Sequence, residues 1–160
     1  AVSMMMRSGR DAYLLIVGEG PERGALEQLV SELGVSARVH FTGRVPENDD
    51  SAALAVADVA VFPGAHGLAI NQAMALGVPV VVVDLPGPDG EMVRHGETGW
   101  RYPLGSIEGM AAALRNAVEC PQRDIVVESA RTEILQKRSL TRYAEAFEQA
   151  VQIAQRKRGT

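Results

Sequence analysis

Tyr13-Leu14-Leu15-Ile16-Val17-Gly18-Glu19-Gly20-Pro21 is the stretch on which the fold turns. Its first five residues are continuously apolar, where a strand with one wet face would alternate. The run therefore predicts a strand buried on both faces of a parallel sheet. Gly18 ends it, and Gly20 and Pro21 open a helix at once, because proline in a first turn removes no hydrogen bond that the helix needs. Leu26, Leu29, Val30 and Leu33 recur at helical spacing, and Gly34 stands where a left-handed C-cap belongs.

Outward from this unit the same alternation repeats. Residues 38–41 read as a strand, 49–56 as a helix, 58–62 as a strand, and 67–76 as a helix closed by Gly77. Residues 78–83, rich in β-branched side chains, form the next strand, followed by a loop of Pro86, Gly87, Pro88, Asp89 and Gly90. A short helix starting at Glu91 and a strand over 100–102 complete the series. Strands alternating with helices predict a doubly wound, parallel, Rossmann-like α/β domain. The chain then turns helical. Ile107, Met110, Ala111, Leu114 and Val118 follow the cap candidate Ser106, and Leu140, Tyr143, Ala144, Phe147 and Val151 form a second stripe. Both stripes are expected to pack as core, the alternative being partner-binding faces. No repeat or linker interrupts residues 1–160, which read as one domain.

Composition narrows the function. A chain of 160 residues, 46% hydrophobic, buries roughly two thirds of the surface its unfolded form exposes, so it needs neither disulfide nor structural metal. Cys120 stands alone, and His40, His66 and His95 are scattered without ligand spacing. No bound metal is expected, and a reducing compartment such as the cytoplasm suits the cysteine usage. A formal net charge of −4 argues against nucleic acid as partner, since such proteins neutralise phosphates with surplus cations. Arg156-Lys157-Arg158 reads as a solvated end. No apolar run approaches the ~18 residues of a membrane span.

In open parallel sheets ligands bind beyond the carboxyl ends of the strands, so the loops that follow strands are where chemistry is sought. The first is Gly18-Glu19-Gly20-Pro21, where glycines let backbone approach a ligand and a helix N-terminus favours negative charge; a plain tight turn explains the glycines equally well. Gly18, Gly20 and Gly24 are spaced one residue too widely for a dinucleotide fingerprint, and the next strand ends without an acid for a ribose, which ranks an NAD-linked enzyme third among the readings. The second loop, Phe41-Thr42-Gly43-Arg44-Val45-Pro46, offers in Arg44 a planar cation able to stack on a base, or simply a surface charge.

The third loop is the most informative: Phe62-Pro63-Gly64-Ala65-His66-Gly67-Leu68-Ala69-Ile70-Asn71-Gln72-Ala73-Met74-Ala75-Leu76-Gly77-Val78-Pro79. Gly64, Ala65 and Gly67 clear space, and the amides of the helix opening near Gly67 and Leu68 point into it, as at known anion sites. Leu68, Asn71, Gln72 and Ala75 share one helical stripe, which holds two side-chain amides near a bound anion. Those amides require partners from solvent or from a ligand.

These three loops, with Ala57-Asp58-Val59, Ala73-Met74-Ala75, Gly77-Val78-Pro79-Val80-Val81, Glu91-Met92-Val93 and Gly96-Glu97-Thr98-Gly99 in this order, resemble the C-terminal, donor-binding half of GT-B fold glycosyltransferases, most like family 4 (glycosyl transferases group 1). The similar stretch runs over residues 13–102. The resemblance implies hexosyltransferase-like transfer of a sugar from a nucleotide-activated donor to a saccharide or lipid-linked acceptor, with retention of configuration and with neither metal nor other cofactor, in bacterial polysaccharide or glycolipid synthesis. It also implies a cytoplasmic protein, with the inner face of the membrane and peripheral association of the whole protein as further expectations. Donor-binding residues implied are Gly18, Glu19, Gly20, Arg44, Val45, Gly64, His66, Gly67, Leu68, Asn71 and Gln72; none is assigned as catalytic.

Two departures accompany the resemblance. The family's pair of glutamates, eight residues apart, falls on Gly64 and Gln72, and His66 replaces a customary aromatic residue. Gln72 still has both donor and acceptor for a diol, whereas Gly64 offers backbone only. The opening Ala1-Val2-Ser3-Met4-Met5-Met6 looks like the end of that domain's first helix, so a first strand and an acceptor-binding domain are expected upstream, and residues 1–160 alone are expected to be inactive. A noncatalytic nucleotide-binding or interaction module of the same fold is the alternative.

Overall fold

The computed structural model describes residues 1–46, 49–64 and 67–158. Its elements follow in the order α1 (Val2–Arg7), β1 (Leu14–Val17), α2 (Arg23–Glu32), β2 (Val39–Gly43), α3 (Asp49–Ala55), β3 (Ala60–Phe62), α4 (Leu68–Ala75), β4 (Val80–Asp84), α5 (Pro88–Met92), β5 (Trp100–Pro103), α6 (Ile107–Glu119), α7 (Arg123–Thr132), a π-helical turn (Glu133–Lys137) and α8 (Leu140–Arg158). Every strand pair is parallel, as the alternation predicts. The ladder is divided, however: among the described residues β1 pairs with β2, and β3, β4 and β5 form a second sheet in that order.

The core lies on both faces of the second sheet. Val80–Val83 of β4 are nearly inaccessible to solvent, at 5% or less, as expected for an apolar strand covered on both sides. Val80 and Val82 face α4, Met92, Val93 and the end of α7. Val81 and Val83 face Trp100, Tyr102, α6 and Val126. Gly99 is required where β5 begins, because a Cβ there would lie 2.6 Å from Val93 Cγ1 and 2.7 Å from Val80 Cγ2. Thr98, also buried, donates to the Met92 carbonyl at 2.7 Å and accepts from the Arg94 amide at 2.9 Å, locking the approach to β5. Ser106 caps α6 as expected, its Oγ accepting from the Gly109 amide at 2.9 Å.

The structure corrects several expectations. Leu140, Tyr143, Phe147 and Val151 are not core: Leu140 is 88% exposed and the others of this stripe also face solvent. α2 likewise buries none of its residues. On α6 the buried side is Ala111, Ala113, Leu114 and Ala117, while Ile107 and Val118 are exposed; the inward face is turned toward small residues that let the helix approach the sheet. Glu91 does not open its helix but lies near the end of one that begins at Pro88. α7 has no counterpart in the sequence reading. No helix among the described residues is long and apolar enough to cross a membrane.

Candidate nucleotide-binding site

Because the strands are parallel, the loops after β1, β2, β3 and β4 all leave the carboxyl edges of their sheets. The first two are tied together. The Gly18 amide donates to the Gly43 carbonyl at 3.0 Å, and Thr42 Oγ1 donates to the same carbonyl at 2.9 Å. The Gly18 amide is therefore occupied within the chain, and a ligand at this turn meets Gly18 through its missing side chain. Glu19 folds back: its carboxylate accepts from Arg23 Nη1 at 3.1 Å, and Arg23 Nε donates to Glu27 at 2.8 Å. The Arg23 guanidinium also lies 5.7 Å from the Phe41 ring centroid. These two acids hold the Arg23 cation above its ordinary pKa, the Glu27 hydrogen bond being the largest cause.

Arg44 is exposed and Val45 half-buried beyond β2. After β3, Gly64 is half-buried, and Ala65 and His66 lie outside the described residues. Gly67 takes a positive φ of 50° as N-cap of α4, a conformation that glycine adopts without the Cβ penalty. The amides of Gly67, Leu68 and Ala69 donate to no described residue, as the open end of a helix requires. Leu68 is 82% exposed beside them. Ile70, Ala73 and Met74 fix the helix on the core by being wholly buried, which leaves Asn71 and Gln72, both half-buried, on its flank.

One partner for the paired amides comes from within the protein. Gln72 Nε2 donates to Ser51 Oγ of α3 at 2.7 Å. This fixes the side chain and leaves Oε1 as the acceptor a hydroxyl-bearing ligand would find. Asn71 makes no side-chain hydrogen bond among the described residues. Ser51 escaped the sequence reading because it stands 21 positions from Gln72, with no motif joining them.

Two depressions lie elsewhere: one of about 670 Å³ beside α7, lined by Arg94, Glu128, Glu133 and Lys137 among others, and one of about 530 Å³ at the edge strand, with Asp84, His95 and Arg101 in its wall. Neither includes a residue of the first three loops. In the former, the buried Glu133 is held by Lys137 at 3.0 Å, Arg138 at 3.4 Å and Arg94 at 3.5 Å. The Lys137 hydrogen bond, foremost, keeps its carboxyl below the ordinary pKa.

Comparisons with known proteins agree on the family. The family model described as Glycosyl transferases group 1 matches residues 1–120. The lipopolysaccharide core biosynthesis glycosyltransferase LpsE of Rhizobium meliloti (strain 1021) is 39% identical over 109 residues, which are 66% of this chain and 31% of that protein. The N-acetyl-alpha-D-glucosaminyl L-malate synthase of Bacillus anthracis is 36% identical over 63% of this chain and 26% of its own length. The chain therefore spans about a quarter to a third of these relatives. Among solved structures, Anabaena Alr3699/HepE in complex with UDP and glucose superposes with a TM-score of 0.76 at 23% identity, covering 88% of this chain and 40% of that one. A mutant of S. aureus TarM with UDP among its ligands reaches 0.82 at 18% identity over 92% of this chain and 30% of its own. The fold is the Rossmann-like α/β fold of GT-B glycosyltransferases, and the chain belongs to the glycosyl transferases group 1 family.

Proposed function

We propose that residues 1–160 are the donor-binding part of a hexosyltransferase-like enzyme that moves a sugar from a nucleoside diphosphate to a saccharide or lipid-linked acceptor. The observation that carries this reading is the geometry at α4. Amides without acceptors among the described residues, at a glycine-capped helix start, stand one turn from Asn71 and a Gln72 held in place by Ser51. Departure of the nucleoside diphosphate builds negative charge, and oriented amides that need not reorganise stabilise it. The Arg44 cation at the end of β2 offers a planar face to the base. UDP in the structures of similar fold supports a uridine donor as the first to test.

Transfer with retention and without metal or other cofactor belongs to the same proposal, as does a role in bacterial polysaccharide or glycolipid synthesis on the cytoplasmic side of the membrane. So does a longer protein. Doubly wound sheets order their strands 3-2-1-4-5-6; the pair β1-β2 and the set β3-β4-β5 are compatible with that order if one further strand, leading into α1, stands between β1 and β3. That strand and an acceptor domain ahead of it are part of this proposal.

A second reading, a nucleotide-binding module without transferase activity, is favoured by one observation: Gly64 and Gln72 carry no carboxylate. A panel of nucleotide sugars given to the intact protein separates the two, sugar release supporting the enzyme and affinity without transfer the module. Gln72→Ala is expected to weaken UDP binding by at least a few-fold in calorimetry; unchanged affinity removes Gln72 from the site.

A further inference from the structure

Arg101 lies on the edge strand β5 and belongs to none of the loops described above. Its side chain nevertheless reaches the end of β4 and the middle of α5, the two sides of the loop that follows β4. Nη1 donates to the Gly90 carbonyl at 3.2 Å, and Nη2 pairs with the Asp84 carboxylate at the end of β4. Its own amide donates to His95 Nδ1 at 3.0 Å, so the backbone from which it projects is fixed as well. Gly90 is shaped to this contact: a Cβ there would stand 2.9 Å from the Leu85 carbonyl oxygen and 3.1 Å from Arg101 Nη2. The first and last residues of the segment 84–90 are thus gripped by one guanidinium.

The third nitrogen of that guanidinium, Nε, is buried without a partner among the described residues. Burying an N–H without an acceptor is unfavourable, and an apolar side chain at this position would avoid it. What arginine supplies in exchange is a rigid fork able to hold a carboxylate and a carbonyl together, which the single ammonium of lysine does not match.

The loop so held follows the strand next to the one that leads into the third loop. β3 and β4 are neighbours, with Phe62 opposite Val82, so the segment after β4 leaves the sheet next to the segment that leads to Gly67. We propose that Arg101 is a positioning residue of the donor site: by clamping residues 84–90 it sets the wall against which the nucleotide sugar lies. The proposal rests on the donor-binding reading above.

Calorimetry with UDP and amide hydrogen exchange on the intact protein test it, using Arg101→Met and Arg101→Lys. Arg101→Met is expected to weaken UDP at least fivefold and to speed exchange over residues 85–91 at least tenfold, with the amides of α6 unchanged. Arg101→Lys, which retains one hold, is expected to fall between. UDP affinity within twofold of the parent protein overturns the proposal. So does exchange that rises equally in α6, since that is loss of general stability rather than of a local clamp. If the parent protein binds none of the uridine, guanosine and adenosine diphosphates, the donor-binding reading fails; an unaltered exchange over 85–91 in Arg101→Met shows separately that the clamp fails.

Discussion

The two sheets of this molecule have similar strands and unlike surroundings. In β4 the four consecutive valines are shielded on both faces, whereas in β1 Leu15 and Val17 are each 41% exposed. The contrast extends to the helices. α4 buries Ile70, Ala73 and Met74, while α2, which follows β1, shows Leu26, Leu29 and Leu33 to solvent. An apolar run thus states that a strand wants cover, not that it has it. The β3–β5 region has its cover from α4, α5, α6 and α7; in the β1–β2 region α2 has no buried residue and Leu15 and Val17 stay partly exposed.

That difference can be broken by substitution. Met74→Ala, which empties a fully enclosed site, is expected to cost about 2–5 kcal/mol, seen as a lower midpoint in urea; a loss below about 1 kcal/mol would mean that the β3–β5 core is no tighter than the rest. Glu133→Gln sharpens the comparison electrostatically. It removes the charge that Lys137, Arg138 and Arg94 share and is expected to cost about 1–3 kcal/mol at neutral pH. Because the folded-state pKa of Glu133 is lowered, its contribution is complete above the unfolded-state value and is lost as pH falls through the folded one. Thermal melts across the acid range should therefore fall less steeply for Glu133→Gln than for the parent chain, and parallel curves would show that Glu133 has no part in acid stability. Leu29→Ala, on the exposed side of α2, should cost least, within about 1 kcal/mol. A loss as large as that of Met74→Ala would show that α2 is covered in solution.

Much of the succession of strands and helices along the chain is legible in the residues, because apolar runs such as Val80–Val83 stand out between helical stripes, and glycines mark the ends of α2 and α4. α7 is not, since only Val126 and Ala130 of its ten residues are buried, too few for a visible stripe. The helix from Pro88 has its one signal in that proline, which among Pro86, Gly87, Asp89 and Gly90 is also what a loop would show. The stripe of α8 was legible as apolar and misread as core, because periodicity reports a face and says nothing of what meets it. At the candidate site, Gly67 stands out as a small residue at a helix opening, and Gln72 as an amide on an apolar helix and through the family resemblance. The Ser51 and Arg101 contacts do not, because a hydrogen bond across 21 positions or a grip from a neighbouring strand leaves no trace in local pattern.

The bond from Gly18 to Gly43 makes one jaw of two turns. Together with the β1–β2 ladder it holds the Gly18 turn and the Arg44 turn as one unit, so the two turns can shift only jointly.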